Sequence, residues 1–197
     1  MALLPLLSAS LSQHWPDMPS RSVLAAQVEQ ESGWRERATL KTSRELGVGL
    51  GQFTKAYGPA GKVRFDAIGE LVSAHPELRG WSWANAYDPH YQLSAVVLKN
   101  QANFRQLGWA GTNEARLAMM DAAYNSGLGS VLKRRAKCIN TPGCRPDFWF
   151  GNLERSSAQG KTKVKGYGQS FAEITNTHVR NVMVVRRQKY RAYFKEE

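Results

Sequence analysis

Helix start and stop signals constrain this sequence most strongly, because they recur along nearly its whole length. Four segments combine apolar residues at helical spacing with residues that favour a helix start or end. These boundary residues are Ser22, Asp88, Pro89, Thr112, Asn113 and Gly127, and the fourth segment covers 172–194. No repeat or long linker separates the segments. The 197 residues therefore predict a mainly α-helical protein with a single domain over 1–197.

Two regions between these helices are rich in Gly, Pro and polar residues, and we expect irregular structure over 54–80 and 132–170. The second region contains Cys138 and Cys144 on either side of a Pro-Gly turn. A disulfide and two free thiols both fit this spacing. There is no C-x2-C spacing and no nearby His, so we expect no metal site, and no motif indicates a cofactor.

The first residues, MALLPLLSASLSQHWPDMP, resemble a signal peptide only superficially. No Lys or Arg precedes the apolar run, which is short and interrupted by Pro5. We expect an amphipathic first helix of the fold rather than an export signal. No stretch approaches the roughly 18 apolar residues of a membrane span, so we expect no stable membrane insertion.

The charge of the chain indicates an anionic partner. There are 27 Lys and Arg residues against 16 Asp and Glu residues, a formal net charge of +11. Nucleic acid, a membrane surface and an acidic bacterial wall are all compatible with this charge. The net charge alone does not distinguish among these three partners.

Glu31 occupies an unusual position on its predicted helix. At 3.6 residues per turn, Leu24, Val28 and Glu31 fall within an arc of roughly 60°, whereas Glu29 points elsewhere. Apolar surroundings disfavour an ionised carboxyl, so we expect a raised pKa for Glu31, as a general acid requires. The alternative is a buried Glu paired with one of the many Arg residues.

The run GVGLG after this helix has glycine at every second position, 47, 49 and 51. Such a backbone allows close approach by a ligand, and Gln52 adds an amide donor and acceptor. A flexible turn or β-hairpin explains the run equally well.

The sequence does not match the nucleotide-binding motifs that it superficially resembles. Gln52 breaks G-x-G-x-x-G, and Arg155 stands where the phosphate loop ending in Gln159–Lys163 needs glycine.

Three short motifs, in order, resemble those of the lytic transglycosylase catalytic domain, the goose-lysozyme-like group. They are Glu31-Ser32 followed by Trp34, then TSRELGVGLGQF over 42–53, then DAAYNSGLGSV over 121–131. YDPHYQLSAVVL and EITNTHVRNV are similar to two further segments of that family. The resemblance covers 22–185 and implies a lysozyme-like domain of packed helices with a substrate groove.

The resemblance also implies an activity, cleavage of the β-1,4 bond between N-acetylmuramic acid and N-acetylglucosamine in peptidoglycan. Glu31 would protonate the leaving oxygen and then, as a carboxylate, accept the proton of the muramic C6 hydroxyl. The product would be 1,6-anhydromuramic acid, formed without water. The residues matched to substrate binding are Ser43, Gly49, Leu50, Gln52, Tyr124, Asn125 and His178. Trp34 suits either the core or a sugar platform.

The sequence departs from the family pattern around Glu45. Leu46 replaces a glycine, Gly51 replaces a methionine, and His178 replaces the closing tyrosine. Glu45 could therefore act as a second carboxylate that activates water, which would make the protein a hydrolytic muramidase. The other interpretation is a structural ion pair between Glu45 and Arg35, Arg37 or Arg44.

The compact chain resembles phage lysins and virion-associated wall enzymes. We therefore expect a monomer made in the cytoplasm that acts on glycan strands in the periplasm after release or virion delivery. A nucleic-acid-binding protein is the rival interpretation, with basic strips at 131–138, 160–166 and 184–193. It explains neither Glu31 nor the glycine run, so we expect no nucleic-acid partner. A wall-binding module without catalysis is a third possibility.

Overall fold

The computed structural model describes residues 3–157, 162–163 and 168–196, and it is mainly α-helical, as predicted. The chain divides into two compact units. The first comprises Met1–Lys99 with Tyr190–Glu197, and the second comprises Asn100–Lys189. The division falls within two helices, α4 (Pro89–Gln106) and α8 (Gln188–Phe194). A single lysozyme-like catalytic domain stays a prediction.

The first unit combines helices with a small antiparallel sheet. Its helices are α1 (Leu4–His14), α2 (Ser22–Ser32) and α3 (Ala67–Ala74), together with the first part of α4. The sheet has the order β1 (Thr39–Lys41), β2 (Glu45–Val48), β3 (Phe53–Tyr57) and β4 (Val63–Asp66). The predicted first helix is confirmed as α1, with Leu4, Leu7 and Leu11 buried.

The expectation of irregular structure over 54–80 is wrong, because β3, β4 and α3 lie there. Strand pairing supplies hydrogen bonds that local composition does not reveal, with Lys55 opposite Asp66 and Ala56 opposite Phe65. The Asp66 side chain then accepts a hydrogen bond of 2.9 Å from the Gly69 N–H and caps α3.

Helix α2 begins one residue away from the prediction. Arg21 is its N-cap and Ser22 is its first helical residue. The Ser22 N–H donates to the carboxylate of Glu196, 2.9 Å away, and the Ser20 hydroxyl donates to the same group at 2.6 Å. The Glu196 carboxylate thus accepts a hydrogen bond from a backbone N–H at the start of α2, where the helix dipole favours negative charge.

The second unit contains part of α4, then α5 (Asn113–Ser126), α6 (Leu128–Ile139), α7 (Phe171–Arg180) and a π-helical segment, Asn181–Arg186. The predicted boundaries of α5 are confirmed. Thr112 caps its start by accepting from the Ala115 N–H at 3.1 Å, and Gly127 ends it with φ +82°.

Irregular structure over 132–170 is also wrong in part, because α6 continues to Ile139. Buried Arg134 explains this, since it donates to the carbonyls of Leu153 and Glu154 and to Asn176 Oδ1. Cys138 and Cys144 form a disulfide, which resolves the alternative that the sequence left open.

None of the described helices has the length and apolar character needed to cross a membrane.

Candidate active site

Glu31 lies one residue before the end of α2, the most deeply buried helix of the first unit. Leu24 and Val28 are 0% and 1% exposed, and Glu31 itself is half-buried. The helix ends at Gly33, which adopts φ +60° and donates from its N–H to the Glu29 carbonyl at 2.8 Å. The predicted inward stripe therefore exists, and Glu31 forms its last, partly accessible member.

The neighbouring acidic residue has a different environment. The Tyr190 hydroxyl donates to the Glu29 carboxylate at 2.7 Å, and Trp34 Nε1 donates to the Tyr190 oxygen at 2.8 Å. The Trp34 and Tyr190 rings lie 6.1 Å apart. Trp34 thus has a structural contact inside the first unit, and the Glu29 carboxylate is hydrogen-bonded to the same Tyr190.

Lys99 is an electrostatic neighbour of Glu31 that the sequence analysis missed. Burial lowers the pKa of Lys99, and the negative charges of Glu31 and Glu70 act in the opposite direction. A cation beside a carboxyl group favours its ionised form, the form that a general base needs. The available signal was a single Lys after the apolar run AVVL in α4. The raised pKa expected for Glu31 stays a prediction.

The glycine run forms a β-hairpin, one of the two structures that the sequence allowed. Val48 at the end of β2 pairs with Phe53 at the start of β3, and 49–52 form the turn. Gly49 has φ +71°, and a Cβ there would lie 2.0 Å from Gln92 Nε2. Glycine at 49 is therefore needed for internal packing, whatever it contributes to a ligand.

Buried Gln92, on α4, holds this turn and was not singled out from the sequence. Its Oε1 accepts from the Leu50 N–H, and its Nε2 donates to the Ala86 carbonyl at 2.7 Å. The Leu50 side chain is fully buried. Sugar binding by the backbone of Gly49 and Leu50 stays a prediction.

Gln52 closes the turn with φ +47°, and its side chain folds back over the hairpin. Its Nε2 donates to the Gly49 carbonyl at 2.9 Å and to the Ala38 carbonyl at 3.3 Å. A Cβ at Gly47 would lie 3.0 Å from Gln52 Oε1. The amide is thus ordered by the hairpin, and its role toward a substrate stays a prediction.

Ser43 and Glu45 lie at the opposite end of β2 from this turn. Ser43 is exposed between β1 and β2, and Glu45 is half-buried at the first position of β2. Thr42 Oγ1 accepts from the Glu45 N–H at 3.0 Å, so the local backbone is ordered.

Glu45 forms no ion pair among the described residues. The structure therefore does not support the interpretation of Glu45 as an ion-pair partner of Arg35, Arg37 or Arg44. Two of the expected partners have other contacts. Arg35 Nε donates to the Ser32 carbonyl at 3.0 Å, and the Arg37 guanidinium lies 5.5 Å from the Tyr87 ring centre.

Three of the predicted substrate-binding residues belong to the second unit. Tyr124 is buried and Asn125 is exposed, next to each other at the end of α5. Asn125 Oδ1 accepts from the Thr175 hydroxyl at 3.0 Å, and Asn125 Nδ2 lies 3.5 Å from His178 Nδ1. The fold therefore brings Asn125 and His178 together within this unit.

His178 also contacts Asp121, the first residue of the motif 121–131, which was not singled out from the sequence. His178 Nε2 lies 3.2 Å from Asp121 Oδ1, and both side chains are buried. Asp121 precedes Asn125 by one helical turn, and this i, i+4 spacing was the signal that could have linked them.

The structure describes part of the basic strips that the rival interpretation invokes. Arg134 of the strip 131–138 is buried and bonded to protein carbonyls, so it is not an exposed phosphate ligand. Most of the strip 160–166, like most of Gln159–Lys163, lies outside the described residues. Over the part of the chain that is described, no group of three or more His, Cys, Asp or Glu side chains could hold a metal ion.

No protein-family model matches the chain, and no curated protein matches it either.

Proposed function

We propose that this protein is a peptidoglycan lytic transglycosylase with Glu31 as its acid and base. The proposal rests on the position of Glu31, which is half-buried at the end of a buried helix and interacts electrostatically with half-buried Lys99. A half-buried carboxyl can both retain a proton and reach a ligand. The ordered resemblance of the motifs around Glu31, 42–53 and 121–131 supplies the substrate class.

Glu31 performs two proton transfers in this proposal. It first donates its proton to the glycosidic oxygen as the bond to C1 breaks. The resulting carboxylate, which the charge of Lys99 favours, then accepts the proton of the muramic C6 hydroxyl. The C6 oxygen attacks C1 and closes the 1,6-anhydro ring, so that no water enters the products. Tyr124, Asn125 and His178 hold the sugar chain in this proposal, as the resemblance implies.

A hydrolytic muramidase is the second candidate, and one observation favours it. Glu45 is half-buried, and no ion pair engages it among the described residues. A carboxylate in that condition could activate water if it reached the sugar. Ordinary glycosidases place such a pair of carboxyl groups about 5–9.5 Å apart. We favour the transglycosylase because Glu31 alone matches a catalytic position.

The proposed substrate lies in the bacterial wall, so the protein acts there after release from the cytoplasm or delivery in a virion. A phage lysin or virion-associated enzyme fits this requirement. The test is whether purified protein clears a suspension of chloroform-treated Gram-negative cells. Binding to isolated wall without clearing would favour a wall-binding module, and tight binding of duplex DNA without clearing would favour the nucleic-acid interpretation.

We expect clearing to slow steeply with added salt. The net charge of +11 attracts the protein to the anionic wall, and ions screen exposed charges beyond about 10 Å at 0.1 M salt. The measurement is the initial clearing rate from about 0.01 to 0.5 M NaCl, a range over which the screening length falls several-fold. Circular dichroism at each concentration controls for unfolding, and a rate independent of salt would contradict the expectation.

A further inference from the structure

Four polar side chains of the second unit form a continuous hydrogen-bonded chain. Thr175 Oγ1 lies 3.0 Å from Asn125 Oδ1, Asn125 Nδ2 lies 3.5 Å from His178 Nδ1, and His178 Nε2 lies 3.2 Å from Asp121 Oδ1. Thr175, His178 and Asp121 are 1%, 6% and 0% exposed, whereas Asn125 is exposed. The chain therefore connects a buried carboxylate to one accessible amide.

The donors and acceptors of this chain fit together in the orientation that the structure gives the Asn125 amide. A carboxylate only accepts, so the proton between His178 and Asp121 resides on Nε2. Asn125 Oδ1 accepts from the Thr175 hydroxyl, so the nitrogen of the same amide faces His178. That nitrogen only donates, and His178 Nδ1 must therefore be an unprotonated acceptor. With the amide in this orientation, the consistent state is a neutral His178 with its proton on Nε2.

We propose that Asp121 is a positioning residue that acts through His178 on the Asn125 amide. Asp121 keeps the imidazole in the Nε2–H tautomer, and this tautomer keeps the Asn125 nitrogen directed at Nδ1 and its oxygen at Thr175. The second N–H of Asn125 is then offered in a fixed direction from an exposed side chain, suited to a carbonyl acceptor such as the amide of an N-acetyl sugar. This assignment rests on the proposed function, because Asn125 is a substrate-binding residue only there.

The tautomer of His178 matters because a proton on Nδ1 would require the Asn125 amide to rotate and exchange its oxygen and nitrogen. If the proton moved to Nδ1, it would face the Asn125 nitrogen donor to donor. The amide would have to rotate so that Oδ1 accepted from His178 and Nδ2 donated to Thr175. Thr175 can accept this bond, because its own hydroxyl also lies 3.1 Å from the Phe171 carbonyl and can donate there. The substrate would then meet the two ends of the amide in exchanged positions.

The first experiment measures the tautomer of His178 in the free protein by ¹⁵N-resolved NMR of the imidazoles, at the pH of greatest activity. His178→Gln identifies the signal among the four histidines. We expect Nε2 protonated and Nδ1 unprotonated. A proton on Nδ1, alone or together with one on Nε2, overturns the positioning role even if the protein cleaves peptidoglycan.

The second experiment replaces the carboxylate with Asp121→Asn, which keeps the shape but can present an N–H to Nε2. In buried Asp–His pairs this substitution favours the other tautomer. We expect the His178 proton to move to Nδ1 and the Asn125 side-chain amide signals to shift. We also expect kcat/KM on peptidoglycan to fall about tenfold, mainly through KM, as for the loss of one substrate hydrogen bond.

Asp147→Asn is the matched control, a half-buried Asp of the same unit paired with Arg145, and it should leave the tautomer and the kinetics unchanged. Asp121→Asn with a wild-type tautomer and wild-type KM overturns the proposal.

If that variant does not fold, Thr175→Val removes the hydroxyl at the other end of the hydrogen-bonded side chains and should shift the same Asn125 signals. Unchanged Asn125 signals in that variant overturn the proposal as well. A wild-type protein that shows the expected tautomer but leaves peptidoglycan intact overturns the proposed function itself, and the substrate role of Asn125 with it.

Discussion

Glu31→Gln is expected to abolish wall clearing while the protein remains folded. The amide cannot donate a proton to the leaving oxygen or accept one from the C6 hydroxyl, so both proposed steps lose their catalytic group. One positioned proton transfer contributes about 10²–10⁴-fold to a rate, and the loss of two should exceed that range. Clearing rates and thermal unfolding of the purified variant provide the measurement.

Glu29→Gln is the matched control for this experiment. It makes the same chemical change two residues earlier on α2, and its amide oxygen can still accept the hydrogen bond from the Tyr190 hydroxyl. We expect this variant to clear at close to the wild-type rate. A folded Glu31→Gln variant that clears as well as Glu29→Gln would remove Glu31 from the mechanism.

Gly49→Ala is expected to destabilise the protein strongly. Its Cβ would lie 2.0 Å from Gln92 Nε2 and 2.2 Å from Gln92 Oε1, and Gly49 has φ +71°. A non-glycine residue at positive φ costs about 1–2 kcal/mol, and overpacking a buried site costs a further 1–3 kcal/mol. We expect a free energy of unfolding lower by about 3 kcal/mol and a Tm lower by roughly 10 °C, measured by calorimetry.

Two comparisons separate the causes of that loss. Gly58→Ala places a Cβ 3.7 Å from the Lys62 carbonyl oxygen at an ordinary backbone conformation, φ −90°, and should change Tm little. Gly49→Ala combined with Gln92→Ala should lose less stability than the sum of the two single variants, because the clash disappears. A Gly49→Ala protein as stable as Gly58→Ala would show that the hairpin does not pack against Gln92 as described.

The helices were predictable from the sequence because their signals are local. Thr112 and Gly127 bound α5 through capping and positive φ, and both effects depend on residues within one helical turn. The β2–β3 hairpin was one of two structures that the sequence allowed, and β1 and β4 were missed because their stabilising contacts are not local. Leu40 of β1 pairs with Gly47 of β2, and Ala56 of β3 pairs with Phe65 of β4. The local sequence over 54–66 does not indicate which residues pair.

The same distinction applies to the candidate site. Glu31 stood out because an acidic residue on an apolar helix stripe is visible within a single helix. Lys99, Gln92 and Asp121 were missed because each acquires its role from a group far along the chain. These groups are the Glu31 carboxyl, the Leu50 backbone N–H and the His178 imidazole, respectively. The disulfide was left open for the opposite reason, since a short spacing permits a bond without requiring it.

The most direct test of the proposed function is the mass of the products released from purified peptidoglycan. A transglycosylase yields fragments that end in 1,6-anhydromuramic acid, lighter by one water, about 18 Da, than the reducing fragments of a hydrolase. We predict that anhydro products dominate and that Glu45→Gln leaves their yield nearly unchanged. Reducing ends as the main product, together with a strong loss of rate in Glu45→Gln, would contradict the transglycosylase and establish Glu45 as the base of a hydrolytic muramidase.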